Sequence, residues 1–282
     1  ESEFVQYSGA LVEVQQFMRL GPDEREAYLS KRRAEAQNTA QDNPKDVSWK
    51  LNLLSKTHEN MLNYEKNNST LAYSIKTGQD LTVVPTNAIL SGNPEAIAAL
   101  SKNIKSIHAN NVLNGTVGSL NPFSTQQQSE LKQFWEKAKP GDKLSLLTSL
   151  YKSSAGNANA SRDMINGIAG ESGAYRLSAS LNNRGLQDIA GQIVTGQDLI
   201  EKGLVKVDES GLTKHTEAYL AGITSPGKPD FQIYLDSIKA NYAYLVQKSE
   251  KVTDSKGNIL NKTIDEELFN KAAKNVTGGK FT

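Results

Sequence analysis

Apolar residues return at steps of three and four along most of this chain, the spacing that lines up one face of an α-helix. The stretch from Gly170 to Gly203 shows it best, with Leu186, Ile189, Ala190, Ile193, Val194, Leu199 and Ile200. Only Leu81-Thr82-Val83-Val84 has real strand preference, and Pro85 ends it after four residues, so it reads as an extended linker. Leu204 to Val207 is too short for a sheet of its own. The pattern predicts an all-α fold, an array or bundle of about ten helices with short antiparallel pairs.

The chain has 282 residues, enough for one large domain or two smaller ones. Its 32 Lys and Arg against 31 Asp and Glu give no support to a general polyanion-binding role. Cysteine is absent, which removes disulfide and thiol chemistry. His58, His108 and His215 lie far apart, so a His-rich metal site is not expected. No apolar run reaches the roughly 20 residues that span a bilayer. The chain starts at Glu1, with no signal peptide, and ends in Val276-Thr277-Gly278-Gly279-Lys280-Phe281-Thr282. It is therefore expected to be a fragment, or the ordered part, of a longer polypeptide.

Phe4, Tyr7, Leu11, Val14 and Met18 form one apolar seam, closed by Gly21-Pro22. The next helix is charged nearly all round, with only Tyr28 and Leu29 as large apolar residues, and reads as solvated. After Asn43-Pro44 a third helix carries Val47, Leu51, Leu54, His58, Met61 and Glu65 on one side. Asn93-Pro94-Glu95 is a helix start; Ile97, Leu100, Ile104, Ile107 and His108 form its expected inner face, and Asn114-Gly115 its stop. His58 and His108 are both read as hydrogen-bonded core histidines. Residues 116–123 are the best boundary, separating an N-terminal region of long helices (1–120) from a compact C-terminal helical domain (121–282).

Ser124-Thr125-Gln126-Gln127 reads as a capping box before Leu131, Phe134 and Trp135. Pro140-Gly141-Asp142 separates this helix from Leu144 to Tyr151, and the short spacing suggests that the two pair. A short helix lies around Met164, Ile165 and Ile168, and another runs from Thr216 to Ile223. Pro229 opens a longer one with Phe231, Tyr234, Leu235, Ile238, Tyr242, Leu245 and Val246, whose tyrosines read as core with hydroxyls reaching water. Ser255 to Asn258 is a turn, and Thr263 to Glu266 caps the last helix.

One motif carries candidate chemistry. Glu171-Ser172-Gly173, Ala179-Ser180 and Gly185-Leu186-Gln187 resemble the goose-type or soluble lytic transglycosylase signature. In that family the Glu is both general acid and base, which needs a carboxyl raised by an apolar pocket. Here Ala174 stands where an aromatic is expected, the spacing to Gly185-Leu186 is short, and no convincing downstream Asn-Tyr part of the signature is present. Asp163 with Glu171, and Asp265 with Glu266 and Glu267, are carboxylate clusters that read as helix-terminus charges. Lys31-Arg32-Arg33 is a weak nucleic-acid patch beside Glu35. No phosphate loop, dinucleotide turn, metal-spaced His or Cys set, or Ser elbow occurs.

From about Ser124 to Gly279 the order of features resembles a helical module of large bacteriophage virion proteins. The residues that carry the likeness are Phe123 to Gln126, Lys143 to Leu147, Ala190 to Leu199, Ala240 to Tyr244, and Phe269 to Ala273 with Val276 to Gly279. Val47 to Gly115 resembles the helical segment ahead of that module, so the likeness covers about three quarters of the chain. It implies a structural internal virion, DNA-ejection or tail-tip protein. Such a protein sits in the phage particle and passes to the host envelope on infection. Its expected partners are its own copies and other virion proteins, with transient contact to DNA or envelope and no small-molecule ligand. The family places any wall-cutting domain elsewhere and assigns this module no catalytic, cofactor-binding or metal residue. The alternative is a peptidoglycan-cleaving transglycosylase with Glu171 as acid and base.

Overall fold

A computed structural model describes residues 2–20, 22–39, 44–68, 70–113, 118–249, 259–260 and 264–278. Among these residues there are fourteen helices and one pair of two-residue strands. The all-α expectation holds. Backbone proximity divides the chain into two units, Glu1–Val84 with Ala99–Gln128, and Pro85–Ala98 with Ser129–Thr282.

The first unit begins with α1 (Ser2–Met18), α2 (Pro22–Thr39), α3 (Pro44–Asn67) and α4 (Thr70–Lys76). Phe17, Leu29 and Leu54 form a small core, with Val14, Leu20 and Tyr28 against it. The apolar seam of α1 divides, with Val14 packed against this core. Ala10 and Phe17 are buried, whereas Leu11 points out; the Phe4 and Tyr7 side chains lie outside the described residues. Helix α2 is not simply solvated either. Arg25 and Leu29 are buried along one narrow stripe, and α2 packs on α3. Within α3, Leu54 and Met61 are buried, while the Val47 side chain falls outside the described residues.

Residues 81–85 have no regular structure, as a linker should. Asn103 stands in for a strand partner there: its Nδ2 donates to Thr82 O at 2.7 Å and its Oδ1 accepts from Thr82 N at 3.4 Å. This buried amide satisfies backbone groups that would otherwise be orphaned. Asn103 lies on α6 (Pro94–Leu113), whose start matches the expected Asn93 cap. Asn93 Oδ1 accepts from Glu95 N at 2.8 Å and Ala96 N at 3.2 Å. His108 departs from expectation, being exposed. Asn114-Gly115 lies outside the described residues. The Ser124 capping box forms as read: Ser124 N donates to Gln127 Oε1 at 3.0 Å and Gln127 N to Ser124 Oγ at 3.2 Å.

The second unit is built around α13 (Pro229–Lys248). Against it lie α10 (Gly173–Asn183), α11 (Gln187–Glu201), α12 (Glu209–Tyr219) and α14 (Glu266–Thr277). Helix α8 (Pro140–Ser153) packs mainly on α10 and α11 and meets α7 (Thr125–Lys137) through Lys143 over Trp135, and α9 (Ala158–Ala169) lies on α8 and α10. Helix α5 (Thr86–Leu90) also meets α8. Val205–Lys206 (β1) and Ile259–Leu260 (β2) pair in parallel, Val205 with Ile259 and Lys206 with Leu260. Ser255 to Asn258 and Thr263 lie outside the described residues.

Small side chains set the α11–α13 distance. A methyl built on Gly196 would overlap the Ala240 carbonyl, while one on Gly191 would meet nothing. The close approach therefore belongs to Gly196 alone. Three amides tie the core helices: Asn241 Nδ2 donates to Gln192 Oε1 at 3.1 Å, and Asn275 Nδ2 to Asn241 Oδ1 at 3.1 Å. Tyr242 is fully buried, and its hydroxyl accepts from Asp265 N at 2.9 Å instead of reaching water. Within the expected Thr263–Glu266 start, Asp265 caps α14, accepting from Leu268 N at 3.1 Å. Asp208 likewise starts α12 at Glu209, seven residues ahead of the expected Thr216.

Candidate functional site

Glu171 sits exposed in the turn between α9 and α10. Gly170 holds φ 83° and ψ 174° there, a region open essentially to glycine only. Gly173 starts α10 pressed on α13; an added Cβ would lie 2.6 Å from Ile233 Cα. Its N–H donates to Asp236 Oδ2 at 2.8 Å, so Asp236, from another helix, caps α10. Glu-Ser-Gly thus has packing reasons of its own, at the turn that leads into α10. Glu171 therefore stands outside any apolar enclosure of the kind the transglycosylase reading calls for.

The other singled-out residues are dispersed in the same way. Asp163 pairs with its neighbour Arg162 at 3.1 Å. His215 Nδ1 lies 2.8 Å from Gly211 O, with its ring 5.3 Å from Phe269. Glu266 and Glu267 are exposed in the first turn of α14, where negative charge suits the helix dipole. In the basic triplet, Arg32 is neutralised by Glu13 at 2.6 Å and Glu35 at 3.0 Å. Burial works to lower the Arg32 guanidinium, but hydrogen bonds to Tyr28, Glu13 and Glu35 together hold it above its ordinary range. Among the described residues no three His, Cys, Asp or Glu side chains gather where they could hold a metal ion.

Two buried polar centres were not singled out in the sequence. In the first unit Arg25 is fully buried. Its Nε donates to His58 Nδ1 at 3.3 Å, its Nη1 to Leu20 O at 2.6 Å and Tyr73 OH at 2.7 Å, and its Nη2 to Glu65 Oε1 at 2.9 Å. An arginine donor on Nδ1 assigns His58 the tautomer with its proton on Nε2, 3.4 Å from Glu26. Burial first, and the Glu65 charge after it, push the Tyr73 hydroxyl up to about 12, against the opposing pull of Arg25. The available signal was Arg25 lying four residues before Leu29, on the same stripe.

In the second unit Lys143, on α8, donates to Asp198 Oδ1 on α11 at 2.6 Å; both are buried. Lys202 donates to Asp198 Oδ2 at 2.6 Å. Burial alone would raise the Asp198 carboxyl, but hydrogen bonds from the two lysines outweigh it and hold it below the ordinary range. Lys143 Nζ also lies 4.9 Å over the Trp135 ring, which meets Tyr175 edge-on at 4.7 Å. Tyr175 donates to Glu201 at 2.8 Å, and burial first, then Glu201, drive its hydroxyl far up. Each charged group here has a hydrogen-bond partner, which describes a structural clamp.

One surface groove of about 450 Å³ runs along the second unit, lined by the first turn of α9, by Arg162 and Arg176, and by Pro229, Asp230 and Ile233 of α13. Glu171 is not part of its lining. A smaller groove of about 350 Å³ in the first unit is lined by Glu13, Arg32, Glu35, Lys50 and apolar neighbours, and Arg32 is spent on its ion pairs. No family model, curated protein or solved structure matches the chain.

Proposed function

We propose that the chain is a structural component of a bacteriophage particle, an internal virion, DNA-ejection or tail-tip protein that acts by assembling with its own copies and other virion proteins. The observation that carries this reading, beside the sequence resemblance, is the outward apolar surface of the first unit. Leu11 and Val12 on α1 are each 54% exposed, and Val112 and Leu113 at the end of α6 are 66% and 84% exposed. Trp49 and Leu62 on α3 are also exposed. Side chains of this kind left in water favour a protein partner. The outward position of Leu11 supports self-association through α1.

Purified particles of the encoding phage should contain the chain by mass spectrometry, and light scattering should show assembly that grows with concentration. A chain that stays strictly monomeric at high concentration and is absent from particles overturns the reading. The transglycosylase alternative predicts that the protein releases soluble muropeptide from purified peptidoglycan and that Glu171→Gln does not. Release by neither protein is the result expected for the structural role.

A further inference from the structure

We propose that α3 docks antiparallel on α3 of a second copy of this chain, through one self-complementary stripe. Steps of three and four place Trp49, Asn52, Lys56, Glu59, Asn63 and Lys66 in a single line along the helix. All six are exposed. Leu54 and Met61 point the opposite way, into the unit, and are buried. The stripe is therefore the outward face of α3, with the exposed Leu62 at its flank. Among the described residues the charges of Lys56, Glu59 and Lys66 have no ion-pair partner, although Lys56 and Glu59 lie one turn apart on the same helix.

The occupant follows from the order of the charges. About a midpoint between Thr57 and His58, antiparallel pairing sets Lys56 against Glu59 of the second copy. The two-fold symmetry of such a contact then sets Glu59 against Lys56 as well. The same register faces Asn52 with Asn63, amide to amide, and Trp49 with Lys66, a cation over an indole ring. One alignment gives every layer a favourable mate. Parallel pairing would set Lys56 on Lys56 and Glu59 on Glu59, and a slide of one heptad either way removes both ion pairs. The charge pattern thus fixes the partner as a second copy and the direction as antiparallel. Polar layers specify orientation at a cost in affinity, so the contact is weak in dilute solution and gains from copies held close together. It rests on the assembly reading above and supplies a second helix, beside α1, through which copies meet.

The chain has no cysteine, so introduced thiols report the contact directly. The whole chain carrying Asn52→Cys is mixed with the whole chain carrying Asn63→Cys under mild oxidation by glutathione disulfide. The mixture should give a covalent dimer on non-reducing gels. Each variant alone should not, because like positions lie about 16 Å apart along the antiparallel pair. Adding Lys56→Glu to both chains turns two ion pairs into two repulsions and should lower the yield about tenfold. The charge swap Lys56→Glu with Glu59→Lys should restore it. These side chains are exposed, so thermal unfolding should be unchanged throughout. Dimer from Asn52→Cys alone, equal yields with and without Lys56→Glu, or no restoration by the swap overturns the proposal. Light scattering separates the two readings: association that persists without the mixed crosslink overturns this contact alone, and a strictly monomeric chain overturns the assembly reading with it.

Discussion

Among the described residues each unit buries one basic side chain, and the two are held differently. Arg25, in the first unit, spreads its donors over His58, Leu20, Tyr73 and Glu65, binding α2, α3, α4 and the end of α1 through one guanidinium. Lys143, in the second, gives its charge to the single carboxylate of Asp198, beneath Trp135 and inside a broad apolar shell. Under α2 the apolar cluster is small, Phe17, Leu29 and Leu54, although the first unit also buries Met61, Leu100, Ile104 and Ile107 elsewhere. At α2 a polar hub supplements the little apolar volume that the helix offers. The contrast teaches that a nearly all-polar helix such as α2 can be anchored by one buried fork of hydrogen bonds.

The two tryptophans separate the units experimentally, since Trp49 lies in the first and Trp135 in the second. The largest effect is expected from Asp198→Asn, which leaves the Lys143 ammonium buried without its counter-charge. Urea unfolding followed at Trp135 should lose about 4 kcal/mol at pH 7. The folded carboxyl is held below its ordinary value, so its contribution is complete above about pH 4 and is lost as pH falls through the folded value. The gap between wild type and Asp198→Asn should therefore close in acid. A gap that stays constant to pH 2 would show that the pair is not the source.

Gly196→Ala comes next. The obstacle is the Ala240 backbone, which cannot rotate away, so α11 and α13 must part at a cost of about 3 kcal/mol. Gly191→Ala, on the same helix but in open space, should be neutral or slightly stabilising. Equal losses at both positions would remove the close-approach argument.

Arg25→Leu should cost about 2 kcal/mol, because it removes a buried charge together with four hydrogen bonds and leaves the Leu20 carbonyl and Glu65 to find water. The loss should appear at Trp49. If the same loss appears at Trp135, the two units melt together and the contrast between them is one of structure only. The smallest effect on stability is expected from Leu113→Ser, within about 0.5 kcal/mol. Self-association in light scattering should fall with it, and unchanged scattering would take Leu113 out of the assembly surface.

Much of the local structure was legible. The Asn93 cap and the Ser124–Gln127 box depend on side chains reaching the next turn, so neighbours in sequence suffice to read them. Faces were less legible. The spacing of Leu11, Val14 and Met18 defines a stripe, but whether that stripe or the one through Ala10 and Phe17 turns inward depends on what α3 offers. His108 was misplaced on α6 for the same reason. The candidate site was read least well. Glu171 drew attention through its motif, whereas the buried Arg25 and Lys143 stand in no motif and are marked only by their tertiary partners.

By itself the sequence determined the helical class, most helix starts, the extended linker at residues 81–85 and the absence of cysteine chemistry, all of which rest on period, caps and composition. The tertiary structure alone decided that Gly196 and not Gly191 is the contact glycine, that Gly173 in Glu-Ser-Gly serves helix packing, and that Lys143 meets Asp198 across 55 residues. Those outcomes depend on which surfaces meet. Contact between distant segments is settled by volume and charge in three dimensions, and no local spacing encodes it.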